Sequence, residues 1–405
     1  MAGLAPFRAL RPSPSAASRV AAVPYDVVNT EEARALAAGN PLSFLHVSRA
    51  EIDLPPGTNL YSDDVYATAV RNFEHLKSEA PLLVEDTPRL YVYRLRMSTH
   101  SQVGLAGCFS IDDYDRDVIR KHEHTRPDKE DDRTRHLLEL RAQTGPVFLT
   151  YRSRPAIDAL INRIATGQPL YDFATGDGVQ HTVWIVEPAE EHQLVVAFDA
   201  VPALYIADGH HRAASAARAR RRLAGDAGTR GEWDSFLAVA FPDGQVQILP
   251  YNRVVQDLVG MTAGAFLDEL QKRFTIKDGP ASPARKGEVA MFLNNRWHTI
   301  VFGDPQAGAR PADRLDVMRL QDAVLGPMLR IGDVRTDKRI DFVGGGRGTA
   351  ELESRVRSGA AAVAFSLYPV DVQDLMAITD AGGIMPPKST WFEPKLRDGL
   401  LSHLV

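Results

Sequence analysis

Apolar positions along the chain recur at two periods. Between Ser62 and Ser78, Val65, Ala69, Phe73 and Leu76 follow one another at three and four residues, which predicts an amphipathic helix with one buried face. Leu90 to Met97 and Gln102 to Ser110 carry the apolar runs of paired strands. A turn-rich stretch, Val23 to Val28, leads into a helix expected from Thr30 to Ala38, with Asn29 or Thr30 as cap and Glu31 and Glu32 in its first turn. Asn40-Pro41 ends it, and Phe44 to Val47 reads as a short strand. The segment Asp112 to Arg141 is highly charged. Its second half should be helical, because Pro127 suits a first helical position and Leu137, Leu138 and Leu140 supply an apolar side. Its first half reads as irregular.

Further along, the pattern predicts a strand at Val147 to Tyr151, a helix at Ala156 to Ala165, and a strand at Val179 to Val186 followed by a charged turn. Phe236 to Phe241 and Val246 to Val255 read as strands joined in a hairpin at Pro242-Asp243-Gly244. A new helical period starts near Thr262 with Phe266, Leu267, Leu270 and Phe274. Met291 to Leu293 and Trp297 to Phe302 suggest a hairpin around Asn294-Asn295-Arg296. Leu315 to Leu329 reads as a helix, and Ile340 to Val343 as a strand that runs into Gly344 to Gly348. Helices and strands alternate, so the expected class is α/β, with α+β as the variant. A division near residue 260 is expected, giving regions 1–260 and 261–405.

Composition narrows the function. A chain of 405 residues with 44% hydrophobic and 24% charged residues can bury large cores, and its length suggests two or three domains. The net charge of −5 argues against recruitment of nucleic acid or an anionic membrane. The run Arg218 to Arg222 lies late on an expected helix, where cations complement the helix dipole. A single cysteine, Cys108, excludes an intramolecular disulfide and any cysteine-based zinc cluster. Met1 to Val23 is rich in alanine and proline and lacks the apolar core of a secretory signal, and no run of about 18 apolar residues occurs. A cytoplasmic location is expected.

The stretch with most chemistry is Ala203 to Ala214. An apolar strand runs into Asp208-Gly209 and then an alanine-rich helix, which sets His210, His211 and Arg212 on the first helical turn. Unpaired amides there favour an anion, Gly209 permits close approach, and Arg212 adds a fork of donors, so phosphate is the expected guest. Three other stretches invite comparison. Gly344 to Gly348 lies between a strand and a helix, but lacks the Gly-Lys-Ser/Thr close of a P-loop and the dinucleotide spacing, so a permissive turn is the simpler reading. His122-Glu123-His124 departs from the zinc spacing His-Glu-x-x-His. Glu123 is better placed as a base for a substrate hydroxyl, with His124, Lys129 and Arg133 as counter-charge. Near the end, Met385 to Leu396 offers Lys388, Ser389 and Thr390, a cation and two hydroxyls suited to a phosphate, within a proline-stiffened segment.

These motifs occur together in a fixed order. Val23-Pro24-Tyr25-Asp26-Val27, Asn40-Pro41 with His46 to Arg49, His122-Glu123-x-Thr125, Lys129 with Asp132-Arg133, Asp208 to Arg212, and Met385-Pro386-Pro387-Lys388-Ser389-Thr390-x-Phe392-x-Pro394-Lys395-Leu396 span nearly the whole chain. The sequence thereby resembles a widespread bacterial and archaeal domain-of-unknown-function family. More distantly it resembles the ParB/sulfiredoxin superfamily, including its free L-serine kinases. That resemblance implies a ParB/sulfiredoxin-like nucleotide-binding core with large additional α/β segments, and phosphoryl transfer from ATP or ADP, with Mg2+, to a small hydroxylated metabolite such as L-serine. It implies a phosphate site at Gly209, His210, His211 and Arg212, joined by Lys388 and Thr390. Asp208 would act in catalysis with His210 and as a magnesium ligand, and Glu123 as base or magnesium partner. Asp26, His124, Arg133 and Ser389 would meet the substrate. Sulfiredoxins carry a cysteine where this chain has His210, so sulfur chemistry is not implied. Two alternatives stand beside the kinase: a ParB-like nucleotide-sensing or nucleic-acid-binding protein, and a histidine-rich metallohydrolase.

Overall fold

The fully apolar run Phe236-Leu237-Ala238-Val239-Ala240-Phe241 is what a strand buried on both faces requires, and it occupies the middle of the largest sheet. In this computed structural model residues 3–79, 82–225, 229–305 and 307–405 are described. They form a mixed α/β protein with several sheets. The chain divides into two units, Met1–Val246 with Pro394–Val405, and Gln247–Glu393. The divisions therefore fall at 246/247 and again at 393/394, where the sequence suggested a single one near 260.

In the first unit a nine-stranded sheet runs in the order 119–120, 204–208, 147–151, 235–242, 100–110, 91–97, 179–185 and 171–174, with 4–5 added beside 100–110. The pairs 119–120 with 204–208 and 147–151 with 235–242 are parallel, and the others are antiparallel. A smaller sheet in the same unit orders Leu83–Val84, Ala9–Arg11, Ser402–Leu404 and Ala142–Gln143. The helix Asp63–Glu79 buries Val65, Ala69, Phe73 and Leu76, the residues that its periodicity selects. Asn29 and Glu32 close a reciprocal capping box on the helix Thr30–Ala37. Pro127 opens the helix Pro127–Leu140, as its fixed φ favours.

The second unit, Gln247–Glu393, has a six-stranded sheet ordered 275–278, 296–301, 288–293, 363–367, 251–255 and 340–344. Asn294 and Asn295 both take positive φ, 47° and 61°, the backbone of a two-residue hairpin turn. Gly344 and Gly345 lie where a Cβ would strike the Trp391 ring at 2.8 Å and Leu249 at 2.6 Å. Close packing accounts for those two glycines.

Five segments depart from the pattern reading, the first being the stretch after Asp112 that reads as irregular and holds the helix Ile111–Asp115 and the strand Ile119–Arg120. The expected hairpin at Pro242 to Gly244 does not form, because the strand Ser235–Pro242 already has neighbours along both edges. Asp243 instead accepts from Ser153, and the following strands Ile248–Leu249 and Tyr251–Val255 pair within the second unit. Leu45–Ser48 is a helical turn; with Phe44, Leu45, Val47 and Ser48 all buried, no alternation exists to tell strand from helix. The charged turn after Val186 is the helix Pro188–Asp199, held by Leu194 and Phe198 one turn apart. Leu315 to Leu329 is a broken helix, since the Gly326 amide reaches five residues back to Gln321 at 2.8 Å.

Phe73 is 1% exposed and meets the Phe44 ring edge-on at 6.2 Å. Phe73→Ala should therefore lower the free energy of unfolding by about 3–5 kcal/mol, read from the urea midpoint.

Candidate anion-binding site

The strand Leu204–Asp208 ends on a register shift between Ile206 and Asp208, opposite Leu149 and Phe148. Such an irregularity re-aims the side chain at the strand end. Gly209 then turns the chain with φ +91°, and the helix His210–Ala224 begins at once. Its buried alanines, Ala213, Ala214, Ala216, Ala217 and Ala219, let it seat closely in the core. Ser215 Oγ donates to the Glu130 carbonyl at 3.3 Å, which ties it to the helix Pro127–Leu140. The positive φ favours glycine at position 209, where a Cβ would also lie a tight 3.1 Å from Arg212 Nε.

Asp208 is the electrostatic centre of this turn. Its Oδ1 accepts from the Gly209 amide at 2.9 Å and its Oδ2 from Lys395 Nζ at 3.0 Å, with Arg212 Nη2 3.9 Å away. Burial works to raise its pKa, but the charges of Lys395 and Arg212 outweigh burial and hold the carboxyl well below its ordinary range. Both oxygens are thus engaged, one by a cation. That is poor company for a magnesium ion, and the ligand role expected of Asp208 does not fit. Lys395, the second lysine of the C-terminal motif, is not among the site residues the sequence points to, because its partner lies 187 residues away.

Arg212 donates to the Pro146 carbonyl through Nη1, while its Nε has no hydrogen-bond partner among the described residues. Burial opposes its charge, and Asp26, Asp208 and Asp398 more than offset that, so the guanidinium stays charged. His210 and His122 stack edge to face at 4.3 Å, and the His122 amide donates to His210 Nε2 at 3.4 Å. Burial pushes His122 down to about 4 and holds His210 well below its ordinary value, so both rings are neutral near pH 7. Burial also lowers His211, whose Nδ1 is buried without a hydrogen-bond partner.

Glu123 is exposed, and ligand atoms of His122, Glu123 and His210 all lie within 4.8 Å of one another. Glu123 and the first residue of the 210–224 helix, far apart in sequence, thus meet. Asp26 is exposed and its charge is felt at both His211 and Arg212. His124 is exposed as well. Arg133 is engaged by Asp132 at 2.8 Å and lies over the Tyr25 ring at 4.1 Å. With Arg212 it lines a cavity of about 50 Å³, which Asp398 also borders.

Asp398, three residues beyond Lys395, was not anticipated. Burial lifts its pKa to about 7, with Arg212, Arg133 and Arg397 pulling it down and Asp26 pushing it up. Lys388, Ser389 and Thr390 lie in the second unit. There the Lys388 carbonyl accepts from Arg253 at 2.9 Å, and Ser389 Oγ donates to the Pro386 carbonyl at 2.6 Å. Cys108 is buried and its thiol pushed up, as a structural thiol should be. Arg218 pairs with Glu130 and Asp131, and Arg220 with Asp112 and Asp234. No described helix is long and apolar enough to cross a membrane.

The fold and this turn define a mixed α/β protein with Asp208, Lys395 and Arg212 clustered at a helix start. The chain belongs to the family described as protein of unknown function DUF1015, whose model matches residues 4–318. No curated protein matches it. Among solved structures it is distantly similar to SbnI with a C-terminal truncation from Staphylococcus aureus, at 11% identity and a TM-score of 0.38 over 72% of this chain and 85% of that one. A free serine kinase in complex with AMP gives 11% identity and a TM-score of 0.37 over 73% and 92%. A conserved hypothetical protein from Pyrococcus furiosus gives 14% and 0.36 over 74% and 95%.

Two outcomes follow from the charges. Lys395→Met should cost roughly 2–3 kcal/mol in denaturant unfolding, below the ~3–5 of a fully buried pair because Asp208 is partly exposed, and adding Asp208→Asn should restore most of it. Asp398 has a folded pKa of about 7, raised above its unfolded value, so the stability it contributes is full below the unfolded pKa and is lost as pH rises through 7. Asp398→Asn should therefore gain on the parent between pH 4 and pH 8, by up to about 4 kcal/mol, in thermal unfolding across that range.

Proposed function

We propose that this protein is a small-molecule kinase, moving a phosphoryl group from ATP or ADP to the hydroxyl of a free metabolite, with L-serine the first acceptor to try. The observation that carries the reading is the exposed Glu123 carboxylate within 4.8 Å of His210, at the opening of a helix flanked by Arg212 and Lys395. A base stands beside an anion site.

Phosphoryl transfer asks a protein mainly for positioning and for cations around the transferred group. The first-turn amides, Gly209, His210, His211 and Arg212 would hold the donor phosphates. Glu123 would take the acceptor's proton as its oxygen bonds to the terminal phosphorus, and the bond from that phosphorus to the departing nucleotide would break. Magnesium, arriving with the nucleotide, would supply further neutralisation of phosphate charge. Asp208 would hold Lys395 and the Gly209 turn in place. This reading rests on the first unit alone and assigns no part to Lys388, Ser389 or Thr390.

Incubation with ATP or ADP, magnesium and L-serine should yield O-phosphoserine by mass spectrometry. Glu123→Gln should slow it about 100-fold or more while nucleotide binding persists. Absence of both product and nucleotide binding overturns the reading. One observation favours a second: two neutral histidines and a carboxylate suit zinc or manganese better than magnesium, as in a metallohydrolase. Stoichiometric zinc or manganese in protein purified without chelator would favour it.

A further inference from the structure

Behind the helix start, the 50 Å³ cavity is lined by Tyr25, Ser48, Arg133, His136, Arg212 and Asp398, among others. At ~10–15 Å³ for each water-sized probe, it has room for a handful of non-hydrogen atoms. A smaller cavity of about 30 Å³ also has Tyr25, Ser48, Arg133 and His136 in its wall.

Three residues of this wall each carry a polar atom that is buried with no hydrogen-bond partner among the described residues: Asp398 Oδ1, Arg212 Nε and Ser48 Oγ. Native proteins seldom leave such atoms unmet, since each costs about 1–3 kcal/mol. Their chemistry is complementary. One is an acceptor on an acid, one a donor on a permanent cation, and one a hydroxyl that does either. Asp398 and Arg212 each sense the other's charge, yet neither fills the other's open position. Asp398 is held where it is by backbone, its amide donating to the Ala22 carbonyl at 2.9 Å and the Gly399 amide to Thr144 at 2.9 Å. Gly145 makes room for it, because a Cβ there would lie 2.2 Å from Asp398 Oδ1.

A guest that satisfies both ends must be anionic at one and a charged donor at the other. We propose that this cavity binds the ammonium–carboxylate head of a small free amino acid, the carboxylate against Arg212 and Arg133 and the ammonium against Asp398 and Ser48. Arg212 belongs to both the cavity and the helix-start turn, so the head would sit next to the donor phosphates. The inference rests on the kinase reading for what happens to the amino acid, but not for its binding.

Calorimetric titration of the full chain without nucleotide separates the two. L-Serine, L-alanine and L-threonine are the probes, with ethanolamine lacking the carboxylate and 3-hydroxypropanoate lacking the ammonium. At least one amino acid should bind, and the two truncated analogues at least tenfold more weakly than L-serine. Asp398→Asn should weaken amino-acid binding tenfold or more and leave 3-hydroxypropanoate unchanged. Ser48→Ala, a milder change, should weaken it in the same direction and serves if the first variant does not fold. Equal binding of the truncated analogues, insensitivity to both variants, or no amino-acid binding, as for a cavity that holds water only, overturns the inference. Phosphoryl transfer to another hydroxyl without amino-acid binding would overturn it and leave the kinase reading standing. Amino-acid binding without phosphoryl transfer would do the reverse.

Discussion

The contact between Lys395 and Asp208 joins the end of a sheet strand to a segment 187 residues later, at 3.0 Å. Without the cation, Asp208 would be a carboxylate partly withdrawn from water beside a turn that has to stay in place. With it, Asp208 stays ionised and spends its other oxygen on the Gly209 amide. The left-handed turn, the start of the 210–224 helix and the direction of Arg212 all follow from that carboxylate's position. The same C-terminal stretch is anchored twice more, by Arg397 on Asp177, Thr175 and His181, and by Asp398 on the backbone at Ala22. Because Arg397 donates to His181 Nε2, that ring carries its proton on Nδ1 and gives it to Tyr93.

Charges near the turn are balanced locally rather than left to the solvent. Arg133 is matched by Asp132, which also takes the Tyr66 hydroxyl at 2.8 Å. Farther along the helix, Arg218 and Arg220 are matched by carboxylates, while Arg221 and Arg222 are exposed. Arg212, Ser48, His211 and Asp398 each carry a buried side-chain atom with no hydrogen-bond partner among the described residues.

What could be read from the sequence was local. Asp-Gly between a strand and an alanine-rich helix is a short-range signal, and it located the turn and its first helical residues. The helix at 63–79 was equally plain, because its apolar spacing has a single solution. The turn at Pro242 to Gly244 misled for the opposite reason: its residues suit a hairpin, but the strand before it is flanked by segments from 100–110 and 147–151. The helix at 188–199 went unread although Pro188, Glu190 and Glu191 mark its start, since only two apolar residues reach its core. Lys395 and Asp398 matter through partners nearly 200 residues away or more, which no periodicity encodes. Glu123 and Arg133 were chosen on chemistry, and the fold brings Glu123 to His210 and Arg133 to the cavity that Arg212 shares.

The second unit interrupts the first between Val246 and Pro394, and its two ends leave side by side, with Ile248–Leu249 paired to Trp391–Phe392. The strand Ser402–Leu404 then lies between Ala9–Arg11 and Ala142–Gln143. This ordering bears on how the protein is made. Synthesis delivers the first 246 residues long before the segment that neutralises Asp208 and fills that place in the sheet. Until then the nascent first unit carries an open sheet edge and an uncompensated acid, the conditions under which chaperones are recruited. The second unit, whole within one stretch of chain, can meanwhile fold first, so the part of the protein that holds the candidate site would be the last to close.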